Sequence, residues 1–497
     1  MTLNISNLRA NQNNITMLQN KGINKISELK NGFTHTWLEP DFISSSLKCF
    51  SFSRLCNTFS GVKVKGYTFE WIMTVLLSMP FIDSATVHSM LSGYVKHHIK
   101  AGKDTFYRLK NNQGISWRTV LWLFMVKFKE LTINSISESA DIRCLIFDDT
   151  LLEKTGKYIE KISRVWDHVT QRSVLGFKLL VMGYWDGKSF MPVDFSLHRE
   201  VGKNKEKPFG LKKKELRKQH KKDRKKGSCS SERAKETDMS KIDCAIKMFK
   251  RAINKGLMVN YVLMDSWFTC EAFINAVLEV KSQSVNLIGM YKFATTKFLY
   301  QEKMYTYGQI RNLTGKPKRC RKLRLYYTEA EVEYQNQVIK LYFSKQGKNG
   351  KWKVILCTDT YLSFIKMIEI YQTRWTIEVF YNESKQLLGL GKCQSNDFDA
   401  QIADVTITMV QHILMTLRYR IENYETMEGL FSQIKEATIK QRLNQRLWGL
   451  FIELMQIIES VFGEIDEQEL FERIFQNEEA SRRIVRLLDD KEIADAA

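Results

Sequence analysis

Four polar side chains lie at regular intervals between residues 371 and 385 and could act on a phosphate group together. They are Tyr371, Arg374, Glu378 and Lys385. In an α-helix, at 100° per residue, these positions project within about 60° of one another. One helical face would then present a carboxylate for a metal ion beside three groups that can hold phosphates. Arg374 and Glu378 alone would also make an ordinary surface ion pair.

Two predicted strands end in aspartate. Cys144–Phe147 is an apolar run followed by Asp148 and Asp149, and Val259–Met264 is an apolar run followed by Asp265. A buried strand holds the side chain at its end with little freedom at the edge of a sheet. A single aspartate at such a position is more often a turn or helix-capping residue. The chemistry therefore depends on whether the carboxylates meet.

The order of these segments indicates that they do meet. A strand with aspartate, antiparallel strands, a helix, a second strand with aspartate and a later helix with glutamate follow the order of a ribonuclease-H-like core. We predict that three carboxylates, Asp265, Glu378 and one of the adjacent pair Asp148 and Asp149, hold two Mg²⁺ ions about 4 Å apart for phosphoryl transfer. Asp148 adjoins Asp149, and the sequence leaves open which of the two faces the metal.

The charge of the chain predicts a polyanionic partner. Lys and Arg number 76 against 55 Asp and Glu, which gives a net charge of +21 and a pI near 9.4. The densest run, residues 202–226, contains thirteen cationic and three acidic side chains. We expect the basic loop 202–231 to contact nucleic-acid phosphates. The alternative is a charged loop that is merely solvated.

Secreted and membrane proteins are not favoured by this sequence. The nine cysteines form no C-x-x-C pair, which is typical of reduced thiols in a cytosolic protein. The longest apolar stretch, Phe69–Ile82, contains Glu70 and Pro80 and is too short to span a bilayer. We therefore expect a cytoplasmic protein without a membrane segment.

Composition and periodicity predict an α/β catalytic core with a β-rich insertion, flanked by helical regions at both ends. The N-terminal helical region carries a small basic cluster and could bind DNA, whereas the end of the chain is net acidic. The cluster is Lys96, His97, His98, Lys100 and Lys103. The predicted regions are 1–135 (helical, DNA-binding), 140–293 (first part of the core), 294–360 (β-rich insertion), 361–425 (core helices) and 426–497 (C-terminal helical region).

The four spaced side chains resemble a known signature. Tyr371-x2-Arg374-x3-Glu378-x6-Lys385 is similar to the YREK signature of bacterial insertion-sequence DDE transposases of the insertion sequence 4 type. The resemblance covers roughly residues 140–425. It implies a metal triad of Asp149, Asp265 and Glu378, because the first aspartate of the family precedes threonine. It also implies that the remaining three signature residues, Tyr371, Arg374 and Lys385, contact the DNA of the transposon end.

The resemblance implies a DNA transposase that uses Mg²⁺, with Mn²⁺ as the alternative ion. Water would first cut one DNA strand at the end of the element. The freed 3′-hydroxyl would then attack the opposite strand to form a hairpin, and the end would later be joined to target DNA. The implied partners are the terminal inverted repeats, target DNA and a second copy of the chain in a synaptic homodimer. The implied location is the bacterial cytoplasm, at the nucleoid when bound to DNA. Two alternatives remain: a metal-dependent nuclease without strand transfer, and a catalytically silent DNA-binding descendant.

Four other side chains lie near the predicted site in sequence or could assist it. Trp267 and Trp375 could stack an extruded base or pack in the core. His168 and His198 could assist catalysis, but they lack the spacing of metal ligands. Solvated or packed histidines are therefore the simpler interpretation.

Overall fold

A computed structural model describes residues 41–439, apart from residues 60, 62–64, 83, 85, 93–98, 134–141, 293–294 and 423. Beyond residue 439 it describes only positions 454, 476, 477 and 479. The described residues thus exclude residues 1–40 and nearly all of the acidic C-terminal segment. They also exclude three members of the predicted basic cluster, Lys96, His97 and His98.

The chain separates into two units. One comprises residues 1–45, 74–105 and 429–497, and in its described part the ring of Phe81 packs against Phe42 at 5.0 Å and against Phe431 at 5.6 Å. The other comprises residues 46–73 and 106–428 and contains every described strand. The boundaries of the five predicted regions remain predictions.

The helices before the sheet are short. Ser51 adopts a left-handed backbone conformation (φ 52°), which separates the helix Asp41–Cys49 from the helix Phe52–Asn57. The Ser116 side chain caps the last helix of this group by accepting a hydrogen bond from the Thr119 amide at 3.3 Å. These helices are α1 (Asp41–Cys49), α2 (Phe52–Asn57), α3 (Phe69–Ser78), α4 (Val87–Ser92), α5 (Lys103–Lys110) and α6 (Trp117–Thr132).

The second unit is built on one mixed sheet, which confirms the predicted α/β class. Twelve strands pair in the order β2-β3-β1-β5-β6-β12-β11-β10-β7-β8, with β4 beside β3 and β9 beside β10. The strands are β1 (Cys144–Glu153), β2 (Ser163–Asp167), β3 (Arg172–Trp185), β4 (Phe190–His198), β5 (Tyr261–Met264), β6 (Asn286–Tyr291), β7 (Lys297–Tyr300), β8 (Lys303–Thr306), β9 (Lys318–Cys320), β10 (Leu325–Tyr334), β11 (Gln337–Gln346) and β12 (Lys353–Cys357).

The remaining helices alternate with the strands or follow them. They are α7 (Lys213–Arg217), α8 (Cys229–Glu236), α9 (Lys241–Asn254), α10 (Glu271–Leu278), α11 (Tyr307–Leu313), α12 (Phe364–Gln372), α13 (Trp375–Gln386) and α14 (Phe398–Glu422). Residues 427–439 are also helical. Among the helices described, none combines the length with the apolar character that crossing a bilayer requires.

The strands of the predicted β-rich insertion extend the sheet. Strand β12 pairs antiparallel with β6, so that Val354 lies opposite Tyr291, and β11 and β10 continue outward from there. The parallel pairs β1–β5 and β5–β6 form the middle of the same sheet. The segment is therefore joined to the central strands by main-chain hydrogen bonds.

A buried cluster of charges ties α6, β4, α8 and α9 together. Asp194 on β4 is 4% exposed. Its carboxylate lies 2.9 Å from the Arg118 guanidinium and 2.7 Å from that of Arg251, with Arg233 at 3.8 Å. Burial alone would raise the pKa of Asp194, but Arg118, Arg251 and Arg233 outweigh it and hold the pKa well below its usual range.

We predict that Asp194→Asn lowers the free energy of unfolding by about 3–5 kcal/mol, because three guanidinium groups lose their shared counter-charge. An aspartate whose pKa is lowered by folding stabilises the folded protein at pH values above the ordinary aspartate pKa of about 3.9. That stabilisation is lost as the pH falls below this value. Urea unfolding of the unmodified protein and of Asp194→Asn, at several pH values from neutral to acidic, measures the free energy of unfolding. The difference between the two proteins should shrink toward low pH. Asp243→Asn, at an exposed position on α9, is the control. An equal loss in both variants would contradict the prediction.

Candidate active site

The parallel pairing of β1 and β5 aligns two of the predicted carboxylates. Phe147 on β1 lies opposite Met264 on β5, so Asp148 and Asp265 follow at the same level of the sheet. Side chains at matched positions of neighbouring strands project from the same face. Burial, and then the Asp265 carboxylate, raises the pKa of Asp148 to about 7. Asp148 and Asp265 therefore follow neighbouring strand ends, and Asp148 is poorly solvated there.

Asp149 projects from the opposite face of β1. Side chains alternate along a strand, so Asp149 shares the face of Phe147, whose ring packs against Phe273 of α10 at 5.1 Å. On that face the Lys241 ammonium, at the start of α9, lies 3.1 Å from the Asp149 carboxylate. The Asp149 carboxylate thus pairs with α9, whereas the Asp148 carboxylate contacts Arg374 on the other face.

The predicted signature helix is two helices. The chain leaves α12 at Gln372 and enters α13 at Trp375. Thr373 and Arg374 keep α-helical torsion angles, but the hydrogen bonds shorten to three-residue steps: the Arg374 amide donates to the Tyr371 carbonyl at 3.1 Å. Tyr371 therefore belongs to the last turn of α12, and Arg374 immediately precedes α13.

Despite this break, the four signature side chains all contact the site or its strands. The Tyr371 hydroxyl donates to the Met264 carbonyl at 3.2 Å, and burial raises the pKa of Tyr371 to about 12. The Lys385 ammonium donates to the Thr150 hydroxyl at 2.7 Å on β1. Burial, and then the nearby Lys178, lowers the pKa of Lys385. An ammonium group in this position is well placed to bind an anion.

Arg374 bridges the helix and the strand. Its Nη2 lies 2.6 Å from Oε1 of Glu378 on α13, and its Nη1 lies 3.6 Å from Oδ2 of Asp148 on β1. Arg374 and Asp148 side chains are each 17% exposed and that of Glu378 is 32% exposed. The guanidinium is therefore positioned between two of the carboxylates and partly neutralises both.

The site suits a hard divalent cation through two of its carboxylates. Asp148 and Asp265 supply oxygen donors whose mutual repulsion a cation would relieve, and Mg²⁺ binds proteins through one or two carboxylates together with several waters. In the part of the chain that the structure describes, no three His, Cys, Asp or Glu residues approach closely enough to form a metal site. The third carboxylate, Glu378, is held by Arg374.

Two residues that support the site were not singled out in the sequence. The Tyr381 hydroxyl donates to the Asp148 carbonyl at 2.8 Å, and its position three residues after Glu378 on the same helical face could have indicated this. The Lys154 ammonium donates to the carbonyls of Gly391 at 2.6 Å and Cys393 at 3.1 Å. It thus ties the end of β1 to the turn that follows α13, a long-range contact that no local pattern encodes.

The additional aromatic and histidine candidates differ in their surroundings. Trp267 is 53% exposed and Trp375 is 61% exposed, so neither packs in the core. His198 is buried between Ser196 and the Met239 carbonyl, and burial lowers its pKa to about 4. His168 is exposed in the turn between β2 and β3. Neither histidine has the surroundings of a catalytic group in this site.

The basic run is anchored at one end and exposed along the rest. Lys222 pairs with Asp397 at 2.8 Å and Asp399 at 2.7 Å, and Arg224 pairs with Glu160 at 2.5 Å. These two cations are structural. The other eleven are exposed: Lys203, Lys205, Lys207, Lys212, Lys213, Lys214, Arg217, Lys218, Lys221, Lys225 and Lys226. We call these eleven side chains the basic strip.

Two families of known proteins match parts of this chain. Residues 79–290 are similar to the DDE superfamily endonuclease family, and residues 221–403 are similar to the family described as archaeal putative transposase ISC1217. Asp148 and Asp149 lie in the first match, Glu378 lies in the second, and Asp265 lies in both. No curated protein matches the chain. The two matches support a DDE transposase family and a nuclease-type, transposase-like function for this chain.

Proposed function

We propose that this protein is a DNA transposase that cuts and joins the ends of an insertion sequence by metal-dependent phosphoryl transfer. One observation carries the proposal: β1 and β5 align Asp148 with Asp265, and α13 brings Glu378 and Arg374 to the same face. Carboxylates beside a guanidinium and an ammonium suit a phosphodiester held next to a metal ion. The similarity to DDE endonucleases and transposases supports the same reaction.

The catalytic core is proposed to be ribonuclease-H-like. In support, the antiparallel strands β3 and β1 are followed across the sheet by β5 and β6, which run parallel to β1. The similarity to the insertion sequence 4 type rests on the YREK spacing. It extends the proposal to a hairpin intermediate, terminal inverted repeats, a synaptic homodimer and action at the bacterial nucleoid.

The metal ligands proposed from the structure are Asp148, Asp265 and Glu378. Asp149 is the ligand that the family resemblance selects, but its carboxylate pairs with Lys241 on the other face. When bound, Mg²⁺ or Mn²⁺ would lower the pKa of the attacking water or 3′-hydroxyl and stabilise the leaving oxygen. The strand register, which places Asp148 level with Asp265, favours Asp148.

The basic groups of the site have separate proposed roles in holding DNA. Arg374 and Lys385 would bind phosphates on either side of the cut through charge-assisted hydrogen bonds. The hydroxyl of Tyr371 already donates to the carbonyl of Met264, so its DNA contact would come from the ring edge or would require this bond to open. Tyr381 would hold the main chain of Asp148 in place.

Strand transfer distinguishes this function from its two alternatives. The assay incubates purified protein with Mg²⁺ and two DNA molecules. One DNA carries the inverted repeats that flank the coding region of the protein, and the other is a supercoiled target. A transposase yields cut ends and ends joined to the target. A nuclease without strand transfer yields only cut ends, and a silent DNA-binding protein yields neither while still shifting the DNA in a gel. Either of these two results would overturn the proposal.

Neutral substitutions decide between the two adjacent aspartates. Asp148→Asn and Asp265→Asn should each reduce cleavage by about 100-fold or more, because each removes charge that stabilises the metal-bound transition state. Binding of the end DNA should persist in both. Asp149→Asn should have a much smaller effect. Cleavage rates measured under single-turnover conditions provide the comparison.

The opposite order of effects in the Asp148 and Asp149 variants would identify the other aspartate as the ligand. If Asp149→Asn abolishes cleavage while Asp148→Asn retains it, the ligand is the one that the family resemblance selects. If all three variants cut normally, the carboxylate site is not the active site. Thermal unfolding of each variant separates the loss of a ligand from the loss of the fold.

The basic strip should contribute DNA affinity without sequence preference. Replacing Lys212, Lys213 and Lys214 by Ala should weaken binding to all duplexes alike. It should also flatten the slope of log affinity against log salt concentration by about 0.9 for each DNA phosphate that the variant no longer neutralises. A matched triple substitution of Lys235, Lys247 and Lys250, exposed on α8 and α9, is the control. An unchanged slope in the strip variant would mean that this part of the strip is only solvated.

A further inference from the structure

We infer that Arg374 couples DNA binding to assembly of the metal site: a DNA phosphate must take the guanidinium before Glu378 can complete the site. The inference rests on the proposed function. It assigns to Arg374 a positioning role in addition to phosphate binding.

The position of Arg374 carries the inference. Its guanidinium contacts Glu378 at 2.6 Å and Asp148 at 3.6 Å, so one cation is shared by two carboxylates that a metal would need. Asp148 also lies level with Asp265 at the adjoining strand ends. In this arrangement Arg374 provides the positive charge that a metal ion would otherwise provide. A metal ion and Arg374 therefore compete for the same negative charge.

An isolated i,i+4 pair on a helix would be weak, but this contact has features that strengthen it. Arg374 is largely buried, reaches from α13 to β1, and meets carboxylates that have lost much of their hydration. Charge-assisted hydrogen bonds of this kind are stronger than neutral ones. Displacing Arg374 from Glu378 should therefore require another strong acceptor.

A DNA phosphate is such an acceptor, and the site can present one to Arg374. Guanidinium binds phosphate through two parallel hydrogen bonds. Lys385, on the same helix, provides a second cation next to Thr150 on β1. A phosphate bound by Arg374, with a neighbouring phosphate held by Lys385, would release Glu378 toward Asp148 and Asp265. The metal affinity of the protein would then depend on whether DNA is bound.

The test measures Mn²⁺ binding, not cleavage. The full chain is titrated with Mn²⁺, and free Mn²⁺ is followed by electron paramagnetic resonance, with and without a short random-sequence duplex. Binding to the duplex alone is subtracted. The variants are Arg374→Gln, Arg374→Lys, Glu378→Gln and the double variant Arg374→Gln/Glu378→Gln. Arg418→Gln, which removes an i,i+4 arginine–glutamate pair on α14, is the matched control.

Without DNA, Arg374→Gln should bind Mn²⁺ about tenfold more tightly than the unmodified protein, the size of effect expected from one charge-assisted hydrogen bond. The double variant should lose this gain, because the gain requires the released Glu378. Arg374→Lys and Arg418→Gln should remain close to the unmodified protein. Duplex DNA should tighten Mn²⁺ binding to the unmodified protein and have little effect on Arg374→Gln.

Mn²⁺ binding by Arg374→Gln that is equal to or weaker than that of the unmodified protein overturns the inference, provided that circular dichroism shows an intact fold. An equal gain in the double variant also overturns it. Failure of the proposed function looks different: Asp148→Asn and Asp265→Asn would then bind Mn²⁺ as well as the unmodified protein. Loss of binding in those two variants without a gain in Arg374→Gln leaves the metal site standing and removes only the coupling.

Discussion

The repulsion between two neighbouring carboxylates is the constraint on which the site depends. The register of β1 and β5 fixes Asp148 beside Asp265, and neither strand can slip without moving an apolar face out of the core. The protein must therefore supply positive charge at this edge of the sheet. Arg374 supplies it directly, and Lys385 adds a second cation along the same helix. Electrostatics at this edge thus favours the observed position of α13, in addition to its buried apolar side chains.

The supporting contacts hold α13 and β1 as one body. Tyr381 binds the main chain of Asp148 from the helix side, and Lys154 binds the turn after α13 from the strand side. On α14, Arg420 reaches the fully buried Asp186 in the hairpin turn between β3 and β4 at 2.5 Å. These bonds use the ends of elements, where main-chain and carboxylate acceptors are accessible. They keep the elements that carry the carboxylates in place.

Local patterns in the sequence predicted the strands that end near Asp148 and Asp265 and the approach of the signature helix. They did not predict how far β1 extends, because Asp148, Asp149 and Thr150 are polar and are typical of a turn. Pairing with β3 along its whole length keeps these residues in the strand. The short strands β2 and β7 to β9 exist through their partners and have no strong pattern of their own. The choice between Asp148 and Asp149 depends on the register with β5, a strand more than one hundred residues away in the chain.

The continuity of the sheet bears on how the β-rich segment can be modified. Strand β12 is apolar and is covered along one edge by β11, so excising β7 to β11 would expose an unpaired apolar edge prone to aggregation. The outermost turns are different. Gln301 and Glu302 form an exposed left-handed turn between β7 and β8, at the far end of the strand order. A fluorescent label or peptide tag inserted at this turn would leave every strand pair between β6 and β10 intact.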